Sequence, residues 1–161
     1  CNHEEVLWKK SYQLGVSRLY ERFKSNDPLT TKDIREIENY LSIELADLFK
    51  ELKQHNVNHV IGSSGSFKSF AKIIGIQKNL DPELYYIKIS RADFDNLHNT
   101  LIDSNVYQRL AIEGMEAMRA DMIPMASVMI NLILEKHTFN NILVSKYSLK
   151  EGVIEEILSS L

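Results

Sequence analysis

A chain of 161 residues, 44% hydrophobic and 25% charged, has the size and composition of one globular domain with a sizeable core. Its formal net charge of -3 excludes a global basic surface, so no nucleic-acid partner is expected and any anion site must be local. The single cysteine, Cys1, excludes an internal disulfide, and no signal peptide or apolar run of about 18 residues is present, which favours a cytoplasmic protein without a membrane partner.

The first third of the chain predicts a strand followed by helices. Residues 5–13 alternate loosely and are rich in aromatic and branched side chains, which favours a strand, and residues 14–23 favour a short helix. Thr30 and Asp33 have the spacing of a capping box at the start of a long amphipathic helix. The apolar positions of that helix recur every three or four residues: Ile34, Ile37, Leu41, Leu45, Leu48 and Leu52.

The middle of the chain alternates between strand and helix patterns. Residues 57–64 predict a short buried strand and residues 66–75 a helix. Residues 87–103 begin like a strand and continue as a helix, and residues 105–113 predict another short helix. The run 122–134 is apolar on nearly every side, which predicts a central buried helix.

The last elements complete an α/β pattern. Residues 140–147 predict a further strand, and the Ser148/Glu151 pair predicts a capping box that opens a final helix. The apolar side chains of this helix that we expect to face inward are Leu149, Val153, Ile157 and Leu161. Strands alternating with helices indicate one α/β domain with a partly parallel sheet.

The stretch HVIGSSGSFKSF, residues 59–70, concentrates small residues where the second predicted strand meets a helix. The carboxyl edge of an α/β sheet is the usual ligand site, glycines allow close backbone approach, and a helix N-terminus presents N–H groups to an anion. The segment therefore predicts either an anion cradle or a plain Gly/Ser turn in which Ser64 or Ser66 caps the helix. It is not a Walker loop, because Phe67 precedes Lys68, nor a nucleophile elbow, because Gly65 comes one residue too early.

A second candidate, Arg119-Ala120-Asp121, precedes the apolar helix. Arg119 is either a solvated side chain or a planar fork that binds phosphate oxygens beside the Gly/Ser loop, and Asp121 is either an N-cap or part of that site. His55 and His59 are four residues apart, but the Asn-Val-Asn between them indicates a helix end rather than a shared metal site. The residues form no Ser-His-Asp or Cys-His pattern, so no catalytic residue and no metal ligand is predicted.

Four segments, in order, resemble the exopolyphosphatase/guanosine pentaphosphate phosphatase (Ppx/GppA) family. They are SYQLGVSRL at 11–19, HVIGSSGSFKSF at 59–70, GMEAMRADMIPMA at 114–126 and YSLKEGVIEEIL at 147–158. The resemblance implies the ribonuclease-H-like fold of the actin and hexokinase superfamily, in which two domains face each other across a cleft. It implies a hydrolase that uses Mg²⁺ and a water activated by a carboxylate to remove terminal phosphate from polyphosphate or guanosine pentaphosphate.

The family's first phosphate loop, its catalytic glutamate and its "D-x-GGGS" loop have no counterpart in this sequence. The resemblance therefore predicts that residues 1–161 are the second domain, truncated at the N-terminus, without its first strand and without its N-terminal partner domain. By position, we expect Gly62, Ser63, Ser64, Gly65, Ser66 and Arg119 to bind phosphate, with Arg18, Lys68 and Asp121 as further candidates. An exposed sheet edge would favour a homodimer.

Three hypotheses of function stay open. In the first, the chain is part of a phosphoanhydride hydrolase and is inactive as a fragment. In the second, it is a regulatory module that binds phosphate or nucleotide without hydrolysis. A third hypothesis is an interaction domain in which residues 62–66 form only a helix cap.

Overall fold

The computed structural model describes residues 5–81 and 84–159. Its helices are α1 (Val16–Arg22), α2 (Thr31–Glu44), α3 (Ala46–Gln54), α4 (Gly65–Gln77), α5 (Arg91–Asp103), α6 (Val106–Leu110), α7 (Ile123–Lys136) and α8 (Leu149–Ser159). Its strands are β1 (His59–Gly62), β2 (Tyr86–Ile89) and β3 (Asn141–Ser145). This is the predicted mixed α/β fold with a small sheet. No helix within the described ranges is long and apolar enough to cross a membrane.

The three strands form one sheet in the order β1-β3-β2. The central strand β3 runs parallel to β1, with Gly62 opposite Val144, and antiparallel to β2, with Tyr86 opposite Ser145. The carboxyl ends of β1 and β3 therefore meet at one edge of the sheet. The Gly/Ser loop starts from that edge.

Among the described residues, the helices of the core pack on one face of the sheet, and side chains on the other face are more exposed. Ile142 and Val144 are buried with the apolar residues of α4, α5 and α7, because side chains along a strand alternate between faces. Ile61, on the opposite face, is 66% exposed, and Tyr86 is also exposed. The helices therefore cover a single face of the sheet.

The core is centred on α7, as its composition predicts. Most of α7 is buried, between α5 on one side and α1 and α2 on the other. His98 of α5 lies in this interface, where its Nδ1 is 2.6 Å from the Ser127 hydroxyl of α7. Desolvation by burial lowers the pKa of His98 below its ordinary value.

The predicted strand at residues 5–13 is wrong. These residues adopt no regular secondary structure, although Leu7 and Trp8 approach β1 across an open cavity of about 790 Å³ that His59 and Ile61 also line. A strand needs hydrogen-bonding partners on a neighbouring strand, and within the described ranges the outer edge of β1 pairs with nothing. Aromatic and branched side chains favour an extended segment, but they do not provide the partner strand that it needs.

The predicted long helix is two helices, since α2 ends at Glu44 and α3 begins at Ala46, but its apolar stripe packs as expected. The capping box between Thr30 and Asp33 is present. This stripe packs against α7 and closes the second half of the core.

The prediction that α8 faces inward is wrong. Leu149, Val153 and Ile157 are 84%, 45% and 55% exposed, and Leu161 lies outside the described residues. One half of the predicted capping box forms: the hydroxyl and amide of Ser148 donate to the Glu151 carboxylate, and these hydrogen bonds lower the pKa of Glu151 to about 2. Apolar periodicity identifies one face of a helix, but it does not identify the surface which that face covers.

Candidate phosphate-binding site

The Gly/Ser loop is held by close packing at its first glycine. Strand β1 ends at Gly62, and a methyl group there would overlap the ring of Phe67 in the first turn of α4. Phe67 in turn makes an edge-to-face contact with Phe70 at 6.3 Å between ring centroids. Gly62 therefore allows α4 to begin tightly against the end of the strand.

Ser64 has an unusual backbone at the N-cap of α4. Its φ of 67° and ψ of -165° lie in a region that is almost confined to glycine, where other residues cost about 1–3 kcal/mol. Residues with a strained backbone are concentrated at ligand sites. Here the backbone conformation of Ser64 sets the direction in which the chain enters α4. The side chain of Ser64 does not cap the helix.

The N-terminus of α4 therefore keeps its hydrogen-bond donors open. The first intrahelical bond runs from the amide of Lys68 to the Ser64 carbonyl at 3.0 Å, so the amides of Gly65, Ser66 and Phe67 precede it. Within the described part of the chain, the hydroxyls of Ser63, Ser64 and Ser66 make no hydrogen bond. The alternative in which Ser64 or Ser66 caps the helix is not observed.

The structure places Arg119 directly over this loop. Arg119 ends a short 3-10 turn, Ala117–Arg119, just before α7. A methyl group on Gly65 would lie 2.7 Å from its Cζ and 2.6 Å from its Nη2, so the guanidinium occupies the space that a side chain at Gly65 would take. Its Nε donates to Glu116 Oε2 at 2.7 Å, and this ion pair leaves the two Nη groups at the loop.

Backbone amides, hydroxyls and a planar guanidinium meet at one partly exposed position. Each of these groups is able to donate a hydrogen bond to a ligand. Both the helix N-terminus and Arg119 contribute positive charge. The arrangement is suited to an anion with several oxygens, such as a phosphate group.

The remaining predicted candidates lie elsewhere. Arg18 is exposed on α1 and donates to the Gln13 side chain at 2.8 Å, and no described contact joins it to the loop. Lys68 lines a groove between α4 and the end of β3. Asp121 is exposed and lines a different cavity; it is not an N-cap, because α7 begins after Met122 without a side-chain cap. Their roles in phosphate binding stay predictions.

The donors of the site do not suit a magnesium ion. Mg²⁺ prefers carboxylate and water oxygens, whereas amides, hydroxyl hydrogens and a guanidinium suit an anion. Residues 5–81 and 84–159 contain no cluster of three or more His, Cys, Asp or Glu side chains able to hold a metal. We therefore derive no chemical step through Mg²⁺ at this loop.

Two residues of this region, Glu116 and Arg109, are not among the predicted site residues. Glu116, three residues before Arg119, orients the guanidinium by accepting from Nε. Arg109 is buried beneath the same segment and donates to the carbonyl of Ala120 at 2.6 Å. The three-residue spacing of Glu116 and Arg119 is compatible with an ion pair. The burial of Arg109 is not predictable from the residues next to it in the sequence.

Comparisons with known proteins agree with this fold. The model of the Ppx/GppA phosphatase family matches residues 1–161. An exopolyphosphatase from Cytophaga hutchinsonii superposes on 99% of the chain with a TM-score of 0.91 and 34% identity, over 52% of its own length. No curated protein matches the chain.

More distant structures share the fold alone. A Ppx/GppA family member from Aquifex aeolicus has 21% identity and a TM-score of 0.72 over 91% of this chain and 47% of its own. Another structure of the Ppx/GppA enzyme from Aquifex aeolicus has 21% identity and a TM-score of 0.80, over 93% of this chain and 49% of its own. The chain thus spans about half the length of the solved structures it matches.

Proposed function

The chain belongs to the Ppx/GppA phosphatase family, and from this premise we propose that it is the second domain of a phosphoanhydride hydrolase. In the whole protein, the reaction would release terminal phosphate from inorganic polyphosphate or guanosine pentaphosphate. The observation that supports this role for the chain is the Arg119 guanidinium lying against Gly65 beside the open N-terminus of α4.

In this proposal the loop and Arg119 form one wall of a phosphate-binding cleft. The open amides of Gly65 and Ser66 and the Ser63 hydroxyl would donate to phosphate oxygens, and the Nη groups of Arg119 would bind a second edge of the same group. Donors fixed in advance stabilise charge that builds up on a phosphoryl group during transfer, with no reorganisation during the reaction. Mg²⁺ and the carboxylate that activates water would come from outside this wall.

The fold around the wall is proposed to be ribonuclease-H-like. The open outer edge of β1, the uncovered sheet face and the exposed apolar face of α8 are surfaces that a further strand and a facing domain would cover. The extra length of the relatives is compatible with such additions. A homodimer and a cytoplasmic location stay predictions.

A second candidate function is binding without hydrolysis, as in a regulatory module for phosphate or nucleotide. One observation favours it: the carboxylate that contacts Arg119 at the site, Glu116, is held in an ion pair with its guanidinium. Phosphate release by the full-length protein separates the two functions, because a regulatory module would bind pyrophosphate without releasing phosphate from polyphosphate.

A titration with pyrophosphate tests the binding wall in the chain itself. We expect shifts of the amide resonances of Gly62–Ser66, and we expect Arg119→Ala to weaken binding by about tenfold or more, since a hydrogen bond to a charged group contributes about 1.5–3 kcal/mol. Arg91→Ala is the matched control, because the Arg91 Nε also donates to a carboxylate at 2.7 Å, away from the loop. An Arg119→Ala variant that keeps its fold and wild-type affinity would remove Arg119 from the site.

A further inference from the structure

Arg109 is a charged side chain with almost no access to water. It lies on α6 and is 1% exposed, yet its guanidinium is shared among three other segments. The Nε donates to the Ala120 carbonyl at 2.6 Å, Nη1 donates to the Ser104 carbonyl at the end of α5, and Nη2 donates to Asp27 Oδ1 at 2.7 Å.

A contribution to the stability of the fold does not by itself explain why the Arg109 guanidinium is buried. Burying a guanidinium carries a desolvation cost of several kcal/mol, and apolar replacements of buried ion pairs are often as stable or more stable. What a buried, multiply bonded arginine supplies is a fixed geometry among the segments it joins. Arg109 joins Asp27, 82 positions earlier in the chain, to Ala120, 11 positions later.

The segment fixed in this way carries Arg119. Ala120 is fully buried, and its carbonyl belongs to the residue that directly follows Arg119. The Arg119 amide donates to the Glu116 carbonyl at 2.8 Å, and the Arg119 carbonyl accepts from Met122 at 3.0 Å. With Ala120 also held, the backbone around Arg119 is restrained on both sides while its guanidinium extends over Gly65.

Asp27 has the matching role on the other side of Arg109. Its Oδ1 accepts from Arg109, and its Oδ2 accepts from the amide of Val106 at the start of α6, at 2.7 Å. The carboxylate thus neutralises the buried charge and fixes the helix that carries it. A cavity of about 290 Å³, which Asp121 also lines, gives water access to this region, and the Asp27 side chain is 40% exposed.

We propose that Arg109 is a positioning residue, which holds the Arg119 guanidinium over Gly65 by fixing the Ala120 carbonyl, with Asp27 as its counterion. The consequence for phosphate affinity rests on the proposed function. The effect on the placement of Arg119 does not, so the two can be measured separately.

The test compares the Arg109→Met and Ser127→Ala variants of the chain of residues 1–161. Methionine replaces the unbranched apolar stem of arginine and removes its charge and donors, whereas Ser127→Ala removes a buried hydrogen bond to His98 at a distance from the loop. The readouts are pyrophosphate affinity, thermal unfolding, and the Nε–Hε resonance of Arg119, which reports its ion pair with Glu116.

We expect Arg109→Met to shift this resonance, speed its proton exchange with water, and weaken pyrophosphate binding by about fivefold or more, since misplaced ligand-binding groups lose most of their contribution. We expect Arg109→Lys to restore part of the affinity and Ser127→Ala to change thermal unfolding alone. A folded Arg109→Met variant with the wild-type Arg119 resonance overturns the proposal.

If Arg109→Met does not fold, the Asp27→Ala variant tests the proposal instead. The Asp27 side chain is half-exposed, so its removal should destabilise the fold less than removal of the buried Arg109. This variant should shift the Arg119 resonance in the same direction, and an unchanged resonance overturns the proposal. If Arg119→Ala leaves pyrophosphate affinity unchanged, the proposed phosphate site fails, while the resonance in the Arg109 and Asp27 variants still decides how Arg119 is positioned.

Discussion

Helices α4 and α5 both have a serine at the N-cap, but only one of these serines caps its helix. Ser90, with φ of -73°, accepts a hydrogen bond from the amide of Asp93 at 3.1 Å, and its hydroxyl also bonds the Asp93 carboxylate. Ser64, with φ of 67°, caps nothing. The start of α5 is satisfied by its own side chains, whereas the start of α4 has a strained backbone and no side-chain cap.

The other helices support this contrast. α2 and α6 begin with reciprocal side-chain bonds, Thr30 with Asp33 and Asn105 with Gln108. At the start of α8, the amide and hydroxyl of Ser148 both donate to the Glu151 carboxylate. α1, α3 and α7 also begin without a side-chain cap, but the residues there, Gly15, Leu45 and Met122, carry no hydroxyl or carboxylate. Among α1–α7, α4 alone has a serine at its N-cap whose side chain leaves the helix uncapped. On the proposed function, this terminus serves binding rather than stability.

The largest expected effect comes from Gly65→Ala at the open terminus. The new methyl group would displace the Arg119 guanidinium, so pyrophosphate affinity should fall about tenfold, which corresponds to about 1.4 kcal/mol. Gly152→Ala in α8 is the matched control, because a methyl group there meets nothing within 4 Å. Titration calorimetry of both variants checks this, and equal affinities would contradict the placement of Arg119 as a ligand-binding group.

Sequence patterns predicted much of the framework that supports this site. Apolar periodicity located the long helical region, a continuous apolar run located the buried α7, and the Thr30/Asp33 and Ser148/Glu151 pairs marked two helix starts. These features are local, because each depends on residues a few positions apart. The Gly/Ser loop was also located locally, at the junction of β1 and α4.

The larger failures concern long-range partners. Residues 5–13 have strand composition but no neighbouring strand among the described residues, and α8 has an apolar face but no described surface against it. The proximity of Arg119 to Gly65 joins positions far apart in the chain; the residues alone gave it as one of two alternatives, and the family resemblance favoured it. Arg109 was missed because the burial of an arginine depends on Asp27, 82 residues away.

An intermediate effect is expected at the satisfied terminus. Ser90→Ala removes the hydroxyl that caps α5, so the free energy of unfolding should fall by about 1 kcal/mol. Ser64→Ala removes no cap and should change it by less than about 0.5 kcal/mol. Urea denaturation of the two variants measures the difference directly, and an equal loss at both positions would show that Ser64 stabilises α4 in spite of its backbone geometry.

The smallest expected effect is a gain in stability from Ser64→Gly. Glycine adopts a φ of 67° and ψ of -165° without strain, which relieves about 1–3 kcal/mol, while its greater freedom in the unfolded chain offsets about 0.4–1 kcal/mol. At the lower end of the strain the two contributions nearly cancel, so we expect the free energy of unfolding to rise by less than about 1 kcal/mol, and Ser90→Gly, at an ordinary φ, to lose a few tenths of a kcal/mol instead. Thermal and urea unfolding of both variants would test this, and a loss of stability in Ser64→Gly would show that the Ser64 backbone is not strained. If Ser64→Gly also keeps its affinity for pyrophosphate, the backbone conformation at residue 64, and not the Ser64 hydroxyl, is what shapes the loop for its ligand.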